Sequence, residues 1–183
     1  MANKKSLNLH LRILEPPQFS YPDGPREMLA RVNRLLDAYQ IDIEANVLSE
    51  RTLFLTEYRE INASTCVYGQ PTAQQAALLS IREDATSEKD VFIYFVQSIR
   101  PLMYGCAAHL PGMPGVVIAS AAPGWTLAHE IGHVLGLSHI LDNKRHLMFP
   151  NVSQIVLDPV TRLPQLTDKE KNIMERSSLL LDH

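Results

Sequence analysis

The sequence predicts an α/β (α+β) fold built on a twisted mixed sheet, and three patterns along the chain support this class. The first is an opening strand, helix and strand, an order that favours a parallel crossover. The second is the apolar run at 91–96, which is typical of a central strand covered on both faces. The third is a pair of short strands joined by a Pro- and Gly-rich loop, which indicates one antiparallel edge strand.

Length and composition are those of one globular domain. The chain has 183 residues, 45% hydrophobic and 20% charged, so it can bury a core without staples. No apolar run reaches the roughly 18 residues that a membrane helix requires. A net charge of -3 without a basic block disfavours a nucleic-acid partner. Two cysteines, Cys66 and Cys106, are too few for a disulfide scaffold, and they could form one disulfide or remain buried thiols.

Periodicity assigns the elements of the first half. Residues 7–13 alternate apolar with polar, which predicts a strand. Apolar side chains then recur at helical spacing over about 25–39, and alternation returns at 41–47, so an amphipathic helix and a second strand follow. The stretch 52–70 is compatible with strand or helix, and 71–82 predicts a short helix.

The second half carries shorter elements. After the central strand we expect a weaker strand at 102–109, the Pro- and Gly-rich loop, and a buried strand at 115–119. A helix is predicted from about 125 to 135. The irregular stretch 140–166 is long for a compact domain, and its place directly after this helix indicates a functional loop. A capping box at 167–170 then predicts the start of a C-terminal helix.

One predicted helix carries the pattern HExxHxxGxxH. Residues four apart share a helix face, so His129 and His133 can direct both imidazoles at one point. Gly136 permits the left-handed backbone that ends a helix, which lets the chain turn and bring back His139. Three imidazoles and one open position make a catalytic zinc site, and Glu130 can reach a bound water. The alternative is an amphipathic helix with ordinary surface histidines.

This motif resembles the signature of the metzincins, a clan of zinc metallopeptidases. The clan has a methionine turn beneath the zinc ligands, and the segment 147–150 resembles that turn, with Met148 supporting the imidazoles by packing. The order of predicted elements is also similar to that of the clan. Ile140, after the third histidine, and Pro150, where astacins and serralysins carry a ligand tyrosine, match no single family.

The resemblance implies a zinc-dependent endopeptidase that binds one Zn²⁺ and cleaves proteins or peptides. It implies one catalytic domain over 1–183, with an upper sub-domain of about 1–136 and a lower one of about 137–183. Glu130 would act as general base for a zinc-activated water. The edge strand would bind an extended peptide by strand addition, and the loop after the methionine turn would form a pocket wall. The candidate contacts are Ala107 and His109 on the strand, and Asn151, Val152, Ile155 and Val156 in the wall.

Two other roles remain open. One is a zinc-binding module that keeps the fold but does not cleave peptides. The presence of Glu130 beside three histidines argues against this alternative. The other is a toxin or effector protease that is secreted or delivered outside the producing cell. No signal peptide or inhibitory prosegment is visible, so the alternatives are a trimmed form, export by another route or a protein that stays inside the cell. An active protease without a prosegment would be contained by a protein inhibitor, a fused carrier or delivery. We expect a monomer.

The remaining histidines have ordinary interpretations. His10 is expected on the polar face of the first strand, and His146 lies just before the methionine turn. His183 is terminal.

Overall fold

The structure is a computed structural model that describes residues 4–14 and 24–182. Its helices are α1 (Gly24–Ala38), α2 (Ala73–Leu79), α3 (Thr126–Val134) and α4 (Asp168–Glu175). Its strands are β1 (Lys5–Leu14), β2 (Ile43–Leu53), β3 (Glu60–Asn62), β4 (Val91–Val96), β5 (Ser98–Arg100), β6 (Gly105–Cys106) and β7 (Gly115–Ala119). Single 3-10 turns lie at Thr56–Tyr58 and Val152–Gln154.

Five strands form the main sheet, in the order β2-β1-β4-β7-β6. β1 runs parallel to both β2 and β4, and β4 runs parallel to β7. β6 pairs antiparallel with β7, so the predicted mixed sheet with an antiparallel edge strand is confirmed. β3 and β5 form a separate parallel pair. The ambiguous stretch 52–70 therefore contains a helical turn as well as a short strand.

The edge strand is much shorter than the sequence predicts. Instead of extending over 102–109, its regular pairing covers only Gly105–Cys106, opposite Ile118 and Val117. The chain just before it turns after β5, and Met103 bridges back to Ile99. Pairing with β5 competes with extension of the strand toward its N-terminal end.

Every side chain of β4 is buried, and alternate residues enter two separate cores. Val91, Ile93 and Phe95 pack in the core that includes α1 and α3. The intervening residues pack in the core that includes α2. The predicted covering of this strand on both faces is confirmed, and α3 is held against the first core through Ile131 and Leu127.

Both faces of β1 are buried, so His10 lies on the polar face as expected but is shielded from water. This side chain is 1% exposed, and its ring stacks on Phe92 with centroids 4.4 Å apart. Its Nδ1 lies 2.8 Å from the hydroxyl of Ser49, and its Nε2 lies 3.2 Å from a carboxylate oxygen of Asp90. The polar side of the alternation therefore faces a buried polar network rather than water.

The N-terminus of α4 has the predicted cap. Thr167 precedes α4, and the Thr167 side chain and Glu170 form a reciprocal capping box, as predicted. The backbone N–H of Thr167 donates to the Glu170 carboxylate over 2.8 Å. Within the described ranges, no helix has the length and apolar character needed to cross a membrane.

Candidate metal centre

Three histidines converge at the C-terminal end of α3. His129 and His133 lie one turn apart on the helix, and His139 comes from the segment that follows it. Their Nε2 atoms are separated by 3.1 Å between His129 and His133, 3.0 Å between His133 and His139, and 3.3 Å between His129 and His139. Two nitrogen ligands of a tetrahedral zinc ion stand about 3.3 Å apart, so this spacing fits a shared metal ion.

The hydrogen bonds of two rings fix which nitrogen faces the centre of the cluster. His129 donates through Nδ1 to the carbonyl of Leu147 over 2.7 Å, and His133 donates through Nδ1 to the carbonyl of Leu137 over 2.9 Å. A carbonyl can only accept, so the proton of each neutral ring is on Nδ1. The Nε2 lone pairs then face one another without a proton between them. This arrangement suits a cation.

Burial favours the neutral state of all three ligands. It lowers the pKa of His129 to about 3, and it lowers the pKa of His133 and of His139 as well. The neutral imidazole is the form that binds a metal ion, so these residues are ready to ligate at neutral pH. The cluster can therefore hold a metal ion.

The turn after α3 is made by Gly136. Its φ of 104° lies in the left-handed region, and its N–H donates to the carbonyl of His133 over 3.0 Å. The N–H of Leu137 donates back to Gly132 over 2.9 Å. A residue with a Cβ atom is strained in this conformation, which explains why glycine stands where the chain must reverse toward His139.

Met148 lies beneath α3 in a tight turn. The turn is closed by the N–H of Phe149, which donates to the carbonyl of His146 over 3.2 Å. The carbonyl of Met148 accepts from Ile140 over 2.9 Å, which links the turn to the segment of the third histidine. Met148 is fully buried, and its neighbour Leu147 supplies the carbonyl that orients His129.

Glu130 is buried beside the cluster at 5% exposure. Burial raises the pKa of its carboxyl to about 8, and a hydrogen bond from the backbone of Ala107 opposes that rise. Gly105 leaves the space that this side chain occupies, because a Cβ atom there would stand 2.6 Å from Oε1 of Glu130. Sequence reasoning missed Gly105, although a glycine within a strand is itself a signal of a close approach.

A disulfide joins Cys66 to Cys106 and settles the pairing that the sequence leaves open. Cys106 is fully buried in the edge strand, next to Gly105 and Ala107. The cross-link attaches the loop around Cys66 to the strand that borders Glu130.

The three histidines and Glu130 open into a cleft with a volume of about 1340 Å³. Ala107, His109, Asn151 and Val152 all line this cleft, whereas Ile155 and Val156 do not. Its wall also includes residues that the sequence did not indicate, among them Tyr68, Leu102 and Arg176.

His109 is held by its own surroundings within the cleft wall. It is 4% exposed, and burial lowers the pKa of its ring. The ring of Tyr68 meets the His109 ring edge-on, with centroids 5.0 Å apart. The backbone carbonyl of His109 accepts a hydrogen bond from the N–H of Gly69 over 2.9 Å. That carbonyl therefore already accepts one hydrogen bond from within the protein.

Among the described residues, His146 and His10 are not members of the cluster. Nδ1 of His146 is 3.5 Å from the carboxylate of Glu170 at the start of α4, and His10 belongs to the polar network beneath β1. His183 lies outside the described residues.

No protein-family model matches the chain, and no curated protein matches it. Among solved structures, the chain is similar to one from the "Structure of a chaperone-substrate complex", with a TM-score of 0.55 and 15% sequence identity. The alignment covers 96% of this chain and 38% of that chain. At this identity the likeness shows a shared fold alone.

Proposed function

We propose that the chain is a zinc-dependent endopeptidase of the metzincin type. The observation that carries the proposal is the convergence of the Nε2 atoms of His129, His133 and His139 beside the buried side chain of Glu130 in an open cleft. The turn at Met148 and the order of strands and helices support it. The substrate class is an extended peptide or protein segment.

The residues of the chain have separate roles in this reaction. A zinc ion, when bound, supplies Lewis-acid polarisation of a carbonyl and lowers the pKa of water. Glu130 accepts a proton from the attacking water and passes it to the leaving amine. The carbonyls of Leu147 and Leu137 hold two ligands in the tautomer that binds metal.

The decisive experiment compares the zinc-loaded protein with Glu130→Gln on a proteome-derived peptide library read by mass spectrometry. We expect chelator-sensitive cleavage by the unchanged protein and none by the folded, zinc-loaded variant. Full cleavage by Glu130→Gln would contradict the proposal.

A second pair of variants tests the ligands separately from the chemistry. We expect His133→Ala to lose most bound zinc, and His146→Gln, a histidine outside the cluster, to keep it. Equal zinc stoichiometry in the two variants would argue against His133 as a ligand. Secretion or delivery, and control by a protein inhibitor, remain predictions from the sequence.

A further inference from the structure

We propose that the Cys66–Cys106 disulfide is a positioning element for Glu130, acting through the short segment 105–107. The inference rests on the proposed function, because it assigns the cross-link a role in the same reaction. Cys106 lies between the two residues that define the place of the Glu130 carboxylate. Gly105 provides the space for Oε1, and the backbone of Ala107 donates a hydrogen bond to the carboxylate.

The pairing of the edge strand decides which way these residues face. The carbonyl of Tyr104 accepts from Ala119 of β7 over 2.9 Å, so residue 104 directs its backbone groups toward the sheet. Backbone groups alternate between the two sides of an antiparallel strand. Those of Gly105 and Ala107 therefore point away from β7, and Glu130 occupies the place where a side chain of Gly105 would stand. A displacement of this segment would move the donor and the space together.

The sheet alone holds this segment weakly. β6 is an edge strand whose regular pairing covers two residues, with a neighbour on one side only. Additional support comes from the loop at 65–70. The disulfide joins it to Cys106, and Gly69 donates to the carbonyl of His109 over 2.9 Å. Thr65 in turn donates to the carbonyl of Gln70 over 2.7 Å, which closes the loop on itself.

The histidine cluster does not depend on the same support. The imidazoles of His129 and His133 are oriented by carbonyls of Leu147 and Leu137, which lie outside the edge strand. Loss of the cross-link should therefore reduce turnover while metal binding persists. A displacement of about 1 Å at a catalytic group can cost up to about 100-fold in rate, so we expect a fall in kcat of about ten-fold.

The test uses Cys66→Ser, which removes the bond but keeps the buried side chain of Cys106. Its matched control is Val32→Ala, a truncation of a buried core residue on α1 that lowers stability. We would measure kcat on a cleaved peptide, zinc stoichiometry, and the hydrogen-exchange rate of the Ala107 amide. We expect Cys66→Ser to keep one zinc, lose about ten-fold in kcat and exchange Ala107 faster. In the control, both kcat and the exchange rate of the Ala107 amide should stay as in the unchanged protein.

An unchanged Ala107 exchange rate or an unchanged kcat in Cys66→Ser overturns the inference. If this variant does not fold, reduction of the folded, zinc-loaded protein with a phosphine gives the same measurements with the same expected outcomes. Absence of cleavage by the unchanged protein would instead contradict the proposed function. In that case the Ala107 exchange rate alone decides whether the disulfide fixes the segment.

Discussion

The sulfur of Met148 lies 2.7 Å from the position that a Cβ atom on Gly132 would occupy. Gly132 is buried within α3, between two of the candidate ligands, and Met148 is fully buried beneath it. The helix that carries His129 and His133 therefore packs directly against the Met148 side chain. No space remains for a side chain at Gly132.

We expect Gly132→Ala to destabilise the protein by about 1–3 kcal/mol, because the added methyl group overpacks this contact. It should also weaken zinc binding, since either the Met148 side chain or α3 must shift to make space for the methyl group. Urea unfolding and a competitive zinc titration measure the two effects. Combining it with Met148→Ala should cost less than the sum of the two single changes, because the truncation leaves space for the methyl group. Strictly additive losses would show that the residues do not compete for space.

Gly105→Ala should impair catalysis while zinc remains bound. A Cβ atom at this position would stand 2.6 Å from Oε1 and 2.7 Å from Cγ of Glu130, so the carboxylate must move. We expect a loss of at least about ten-fold in kcat, with zinc stoichiometry unchanged. Steady-state kinetics and metal analysis of one preparation provide the comparison. Normal kcat in the variant would show that Glu130 works equally well from a displaced position.

The stability of the metal-free protein should depend on pH through Glu130. Burial raises the pKa of this group from 4.5 to about 8. The contribution of the protonated carboxyl to the free energy of unfolding is therefore fully present below about pH 4.5 and is lost as the pH rises through about 8. Relative to Glu130→Gln, which cannot titrate, the protein should lose up to about 1.4 kcal/mol per pH unit in this window. Urea unfolding with a chelator between pH 4.5 and 9 provides the measurement. A difference that does not vary with pH would contradict the buried carboxyl.

Removal of the Asp90 carboxylate should destabilise the fold through a polar network that contains none of the candidate metal ligands. Burial alone would raise the pKa of Asp90, but hydrogen bonds from Thr86, Asn8 and His10 outweigh it and lower the pKa. Asp90→Ala leaves buried donors without a partner, and we expect a loss of about 3–5 kcal/mol. The control Asp37→Ala removes an exposed ion pair with Lys4 and should cost about 1 kcal/mol or less. Chemical denaturation distinguishes the two, and similar losses would contradict the importance of the network.

Local patterns in the sequence were sufficient for the elements whose stability depends on near neighbours. The helical spacing of His129 and His133, the glycine at 136 and the capping box at Thr167 each involve residues within one or two turns. The strands at β1, β4 and β7 were predicted because their apolar alternation or continuity is also local. The interpretation failed where a distant segment determines burial.

His10 and the edge strand show this limit. Alternation in β1 identifies a polar face, but burial of that face depends on Asp90, eighty residues further along the chain. The strand predicted at 102–109 is shortened by the bridge of Met103 to Ile99, which its own pattern does not encode. The place of Gly105 against Glu130 and the choice of disulfide partners are likewise set by contacts between distant parts of the chain.

All three candidate ligands lie within residues 129–139, whereas the surroundings of Glu130 come from the edge strand. Under the proposed function, a preparation could therefore bind a full equivalent of metal and still be inactive. Metal content would report only whether the helix and turn at 129–139 are correctly folded. It would be a poor measure of the fraction of molecules able to cleave a peptide. An active-site titration or a turnover assay is needed to judge the quality of any sample.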